Sequence, residues 1–181
     1  MKQAFSVLLL LLICGCNNIP KQISSIKAHK LSIPTHEMVA WSPDTSGEPT
    51  TNSRHLNLVF YVSKEQCQSC FFSQLIKFEH ENYESLANQD VSLVYIFDAQ
   101  NIDREILEEE LRSTRTRGHI FIDTCRTFLN MNKHIPDNPL YHTFVADNSG
   151  NIIMVGNPFQ NSRMDKLFKK VIESERKRKN S

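Results

Sequence analysis

Leu56-Asn57-Leu58-Val59-Phe60-Tyr61-Val62, a polar loop, and then Cys67-Gln68-Ser69-Cys70 form the stretch on which the fold turns. The first seven residues are rich in β-branched and aromatic side chains and nearly free of polar ones, which predicts a central strand covered on both faces. Beyond the loop, residues 70–88 contain no Gly or Pro. Phe71, Phe72, Leu75, Ile76 and Phe78 give that stretch the broad apolar face of a packed helix. The cysteine pair therefore sits where a strand hands over to a helix. Unpaired amide donors and the helix dipole at such a junction favour a thiolate, so Cys67 ionises near neutral pH while Cys70 is close enough to close a disulfide. This is the arrangement that dithiol exchange requires.

The periodicity continues outward from this unit. Residues 91–97 predict a second buried strand, 103–114 a helix with Ile106, Leu107 and Leu111 inward, and 119–123 a third strand. A short helix over 126–133 follows. Residues 141–146 and 151–155 predict a hairpin around Asp147-Asn148-Ser149-Gly150, and 163–176 a closing helix capped by Asn161 or Ser162. Residues 31–41 are expected to add a short strand pair at the domain edge. Early βαβ units that end in an antiparallel hairpin and a helix indicate an α/β fold with a mixed central sheet.

A CxxC after a strand in a βαβ context reads as a thioredoxin-like redox motif, and residues 56–173 resemble the thioredoxin fold. The strand and helix over 119–133 resemble the central βα insertion of the TlpA/ResA class of membrane-anchored disulfide reductases and of peroxiredoxins. Phe144-Val145-Ala146-Asp147-Asn148-Ser149-Gly150-Asn151-Ile152-Ile153 resembles the hairpin signature of that class. Gly156-Asn157-Pro158 adds a looser likeness to thioredoxin-like lipoproteins. The resemblance implies that Cys67 is the nucleophile and Cys70 the resolving thiol. It also implies a reductase or isomerase acting on disulfides of exported proteins, with a membrane electron donor and no cofactor. The chain departs from the pattern at five places. Gln66 replaces the tryptophan before the first cysteine, and Gln68-Ser69 lacks the usual proline. Tyr61 stands where thioredoxin buries an acid, and Ser73 where TlpA/ResA relatives carry a glutamate. The cis-proline expected near Tyr141 or His142 is absent, the nearest prolines being Pro136 and Pro139.

Upstream, a lysine at position 2 and an apolar run over 5–14 read as a signal peptide. As a helix that run spans roughly 15 Å, about half a bilayer's hydrocarbon thickness. Ile13-Cys14-Gly15-Cys16 resembles a bacterial lipobox, which makes Cys16 the lipidated first residue after removal of 1–15, anchored to the membrane by its acyl chains. Residues 16–53 are expected to hold the lipidated cysteine, a flexible tether over 17–30 reaching roughly 20 Å, and the edge strands. Residues 54–176 are the thioredoxin-like domain and 177–181 a basic tail. The expected location is the bacterial cell envelope, facing the periplasm, with Asn17 favouring the outer membrane. Cysteines in that compartment can form lasting disulfides.

The 181 residues, 40% apolar and 23% charged, suit one globular domain and exclude disorder. A formal charge of +1 supplies no field for a nucleic-acid partner. Beside exchange, two readings of the cysteine pair stay open. One is a permanent disulfide clasp. The other is a non-enzymatic binding or metallochaperone module holding copper or zinc through Cys67, Cys70 and His142, which resembles the use of the fold by SCO-type proteins, although those have CxxxC. Cys125 follows Asp123-Thr124 at a strand end and reads as an inert thiol or a third redox cysteine. Arg176-Lys177-Arg178-Lys179 reads as a solvated helix end.

Overall fold

A computed structural model describes residues 18–42, 54–63, 66, 68–100, 104–114 and 116–179. The expected leader, Cys16 and Cys67 lie outside the described residues. In chain order the helices are α1 (Asn18–Lys27), α2 (Gln68–Asn88), α3 (Arg104–Thr114), α4 (Thr127–Met131) and α5 (Ser162–Lys179). The strands are β1 (Val39–Trp41), β2 (Leu56–Val62), β3 (Val91–Asp98), β4 (His119–Asp123), β5 (Thr143–Asp147) and β6 (Ile152–Val155). Among the described residues the strands form one sheet in the order β1-β4-β3-β2-β5-β6. β3 is parallel to both β2 and β4, and the pairings of β1, β5 and β6 are antiparallel. The mixed sheet and the terminal hairpin are therefore as expected.

The pleat of β2 explains its lack of polar residues. Successive side chains point to opposite faces. Leu58, Phe60 and Val62 pack with Phe71 and Leu75 of α2, Leu107 of α3 and Phe168 of α5. Val59 and Tyr61 pack on the other face with Ile26 of α1 and Phe128 of α4. Two apolar layers need an apolar strand between them. Ile76 and Ile106, expected to face inward, are 48% and 60% exposed. Each stands next in sequence to a fully inward leucine, Leu75 or Leu107, and roughly 100° of rotation per residue carries it off the buried stripe.

At the C-terminus Asn161 caps α5, its Oδ1 accepting from Met164 N–H at 3.0 Å. The helix runs on to Lys179, where Lys177, Arg178 and Lys179 pair with Glu173, Glu175 and Asp90. The basic tail is thus largely neutralised by its own helix and by the turn before β3.

The stretch read as a flexible tether is instead helical and attached. Ile26 of α1 is completely buried. Tyr141 O–H donates to Gln22 of α1. Beyond the helix, Leu31 N–H donates to Gly150 O at 2.7 Å, and Ser32 exchanges two bonds of 2.8 Å with the buried Asn132 side chain. Gly150 has φ +80°, and a Cβ there would meet Leu31 O at 2.5 Å, so the turn of the hairpin needs glycine for both conformation and contact. The missed signal is Ile19, Ile23 and Ile26, spaced three and four apart in an otherwise polar segment. Only β1 of the expected edge pair forms, on β4, with a single bridge from Lys30 to Asn151.

His29, just past α1, stacks on His134 with ring centroids 4.8 Å apart. Burial, and the charge of His29, hold the His134 imidazole below its ordinary pKa; burial and Arg54 do the same for His119. A histidine depressed in the folded state binds protons more readily when unfolded. Stability is therefore full above about pH 6.5 and declines as pH falls through and below that value. Urea midpoints measured between pH 7.5 and 5.5 should fall, and less steeply in a His29→Gln, His134→Gln variant; a flat profile would show that these rings carry no linkage.

Candidate active site

The parallel strands β2, β3 and β4 end on one side of the sheet, the side from which α2 begins. Cys70 lies in the first turn of α2, exposed and disulfide-bonded. Gln66 precedes the helix, and its side chain turns back on the loop. Its Oε1 accepts from Ser63 N–H at 2.9 Å, while its own N–H donates to Ser63 O at 3.0 Å. Beside the helix start opens a cleft of about 350 Å³. Phe60, Phe71 and Phe159 give it an apolar floor. Gln66, Gln74, Asn138, Thr143, Asn157 and Gln160 give it polar walls. No charged side chain among the described residues lines it.

Tyr61 does not take the position under the cysteine helix that its distance from Cys67 suggested. It faces the opposite side, stacked on Phe128 at 5.0 Å. Phe60 faces α2 instead and meets Phe71 edge-on at 6.0 Å. Tyr61 O–H donates to Asp98 Oδ2 at 2.9 Å. Burial and the Asp98 charge push the phenol far above its usual range, so it stays protonated.

Asp98 and Asp123 end β3 and β4 as register partners, and both are fully buried. Sequence reasoning passed over them. Two aspartates closing adjacent apolar strands were the available signal, since a buried carboxylate needs partners. Asp123 accepts from the N–H groups of Thr127 and Phe128 at 2.9 Å and of Cys125 at 3.3 Å. It thereby shapes the turn into α4, in which Arg126 takes a left-handed φ of 53°. Arg126 then pairs with Asp98 at 3.4 Å and with Asp137 at 2.8 Å. Asp137 is in the segment that walls the cleft. The ends of β3 and β4 are thus tied to one cleft wall.

The same wall carries the position of the expected cis-proline. The described residues contain no cis peptide bond. Tyr141 and His142, read as strand residues, belong to a 3-10 turn, Pro139–Tyr141, and its C-terminal cap. Pro139 opens that turn with Asn138 as its N-cap, and Pro lacks the N–H that a strand pairing would use. His142 is buried, with Nε2 3.0 Å from Pro136 O and its ring edge-on to Tyr61 at 5.1 Å. Its backbone carbonyl accepts from Tyr61 N–H at 2.9 Å. Among the described residues, no group of three His, Cys, Asp or Glu side chains is placed to hold a metal ion. Cys125 is an exposed free thiol.

No family model matches the chain, and no curated protein matches it. Among solved structures it is similar to a putative thiol-disulfide oxidoreductase from Bacteroides vulgatus. The identity is 16%, the match covers 78% of this chain and 91% of that one, and the TM-score is 0.52. A thioredoxin-like protein solved in its oxidized form matches at 14% identity over 75% of this chain and 89% of that one, with a TM-score of 0.50. The chain has a thioredoxin-like α/β fold.

Proposed function

We propose that this chain is a thiol-disulfide oxidoreductase whose Cys67 and Cys70 exchange with disulfides of exported proteins, in the direction of reduction or isomerisation. The observation that carries the reading is the placement of Cys70: disulfide-bonded and exposed in the first turn of the helix that follows a central strand, beside an open cleft. Cys67, three residues earlier, is the partner this reading assigns to it. The Cys67 thiolate attacks a partner disulfide, forming a mixed disulfide and releasing one partner thiolate. Cys70, as its thiolate, then attacks the Cys67 sulfur, closes the intramolecular disulfide and releases the second partner thiolate. Two electrons pass to the partner for each disulfide opened. A membrane electron donor would restore the dithiol in a reductase.

Lipidation at Cys16 and a periplasm-facing position belong to the same proposal. Because α1 is packed on the domain from Asn18 onward, the anchor would hold the domain against the membrane surface rather than on a long tether. The β4–α4 segment supports a likeness to the TlpA and peroxiredoxin insertion. The test is the reduction potential of Cys67/Cys70 in a Cys125→Ser background, read by thiol-buffer equilibration, alkylation and peptide mass. A reversible couple between roughly −120 and −270 mV, the span of exchange proteins, is expected. A pair still oxidised well below about −300 mV would mean a structural clasp instead.

A further inference from the structure

The side of the sheet that carries α1, α4 and the Pro139–Tyr141 turn has a basic surface. Residues 18–36 contain Lys21, Lys27 and Lys30 and no acidic residue. Lys133 joins them in space, since the next residue, His134, stacks on His29. All four lysines are exposed, and none pairs with a carboxylate among the described residues. Asp137, on the same side, is held by Arg126. Three large apolar side chains stand at least half exposed here: Ile19 on α1, Met131 at the end of α4, and Leu140, next to the Tyr141 whose O–H donates to Gln22 of α1. Across the sheet, α2 and α3 carry more acidic than basic residues, and four basic residues of α5 pair with its own acids or with Asp90.

We propose that this face docks on an anionic phospholipid surface, with α1 lying along the headgroups, its lysines on the phosphates, and Ile19, Met131 and Leu140 in the interface. The inference rests on the lipid-anchored reading and deepens it by naming the face that meets the bilayer. Charge and position select this occupant. A headgroup layer presents negative charge along the whole of α1, about 15 Å from end to end, and each lysine near it raises partition about fivefold. Apolar side chains set among cations suit an interface where acyl chains and phosphates lie at adjacent depths. α1 begins two residues after Cys16 and is fixed to the domain by Ile26 and by the Tyr141–Gln22 bond. An acyl chain at Cys16 therefore brings this face to the lipid, rather than the face of α2 and α3. Acylation holds the chain, and the lysines set which way the domain faces.

Tryptophan quenching by brominated lipid tests this. Ala28→Trp and Leu140→Trp place probes on the proposed face, and Leu167→Trp places one on α5; all three positions are exposed, so the fold should tolerate them. The signal of Trp41, the one tryptophan of the chain, is subtracted. The full-length protein is reconstituted in vesicles of brominated phosphatidylcholine with or without phosphatidylglycerol. With phosphatidylglycerol, the probes at 28 and 140 should be quenched strongly and the probe at 167 weakly. Combining Lys21→Gln, Lys27→Gln and Lys30→Gln should lower the ratio of docked to undocked protein about hundredfold. High salt should act in the same direction by screening. Quenching at 28 and 140 no greater than at 167 overturns the proposal. So does quenching there that survives both the lysine variant and the removal of phosphatidylglycerol. Acylation is read separately by peptide mass. An unmodified Cys16 would sink the lipidation reading alone, because the contrast between positions 28 and 167 reports the docked face whatever holds the chain on the bilayer.

Discussion

Cys67→Ser should abolish disulfide exchange, by at least about a thousandfold, while Cys70→Ser should retain the first chemical step and accumulate mixed disulfides. The asymmetry follows from position. On the proposed reading, a thiol just ahead of a helix gains from the unpaired amides and the positive end of the helix dipole, which lower the free energy of its thiolate. A serine hydroxyl in the same place stays protonated near neutral pH, so the nucleophile is lost rather than weakened, and removing the attacking atom costs the full chemical step. In the proposed mechanism Cys70 acts only after a mixed disulfide exists. Without it the covalent partner is held on Cys67 and can be recovered on a non-reducing gel, cleaved by dithiothreitol and identified by mass. Cys125 is exposed and free, so the experiment belongs in a Cys125→Ser background. Equal activity of Cys67→Ser and wild type would falsify the assignment of the nucleophile.

Asp123→Ala should cost about 3 kcal/mol of stability without entering the chemistry. The carboxylate has no exposure and accepts three backbone N–H groups in the turn into α4. Each buried donor left without an acceptor costs roughly 1–3 kcal/mol, with solvent recovering part of that for the more exposed Cys125. At roughly 2–4 °C per kcal/mol for a domain of this size, the melting temperature should drop by about 10 °C. Asp123→Asn keeps one acceptor oxygen and should lose less. The consequence reaches the cleft, because this turn sets Arg126, and Arg126 holds Asp137 beside Asn138. Slower disulfide exchange in Asp123→Ala at a temperature where the protein remains folded would show that link. A melting temperature unchanged within 2 °C would show that the three bonds contribute little.

The architecture was legible because it rests on local patterns. A seven-residue strand without charge, a long stretch free of Gly and Pro, and a hairpin turn with Gly150 each carry their own periodicity or conformational demand, and each element formed within a few residues of its expected place. The N-terminal helix was illegible for the opposite reason. Its three isoleucines make a stripe too narrow to stand out among polar residues, and it gains stability by covering β6 and the Tyr141 turn rather than from its own propensity. The expectation that Tyr61 lies beneath the cysteines failed on counting. Distance along the chain placed Tyr61 there, but the pleat puts Phe60 on the α2 face and turns Tyr61 to the other.

What the amino-acid sequence alone determined is the CxxC spacing between a strand pattern and a helix pattern and the α/β order around it, since both follow from residue type and spacing within one or two elements. Only the tertiary structure decided the surroundings of that junction. The cleft brings together Gln66, Asn138 and Asn157 from segments separated by up to ninety-one positions, and Asp98, Arg126 and Asp137 join two strand ends to its wall. Hydrogen bonds and ion pairs between distant segments depend on strand order and register, which no local pattern encodes.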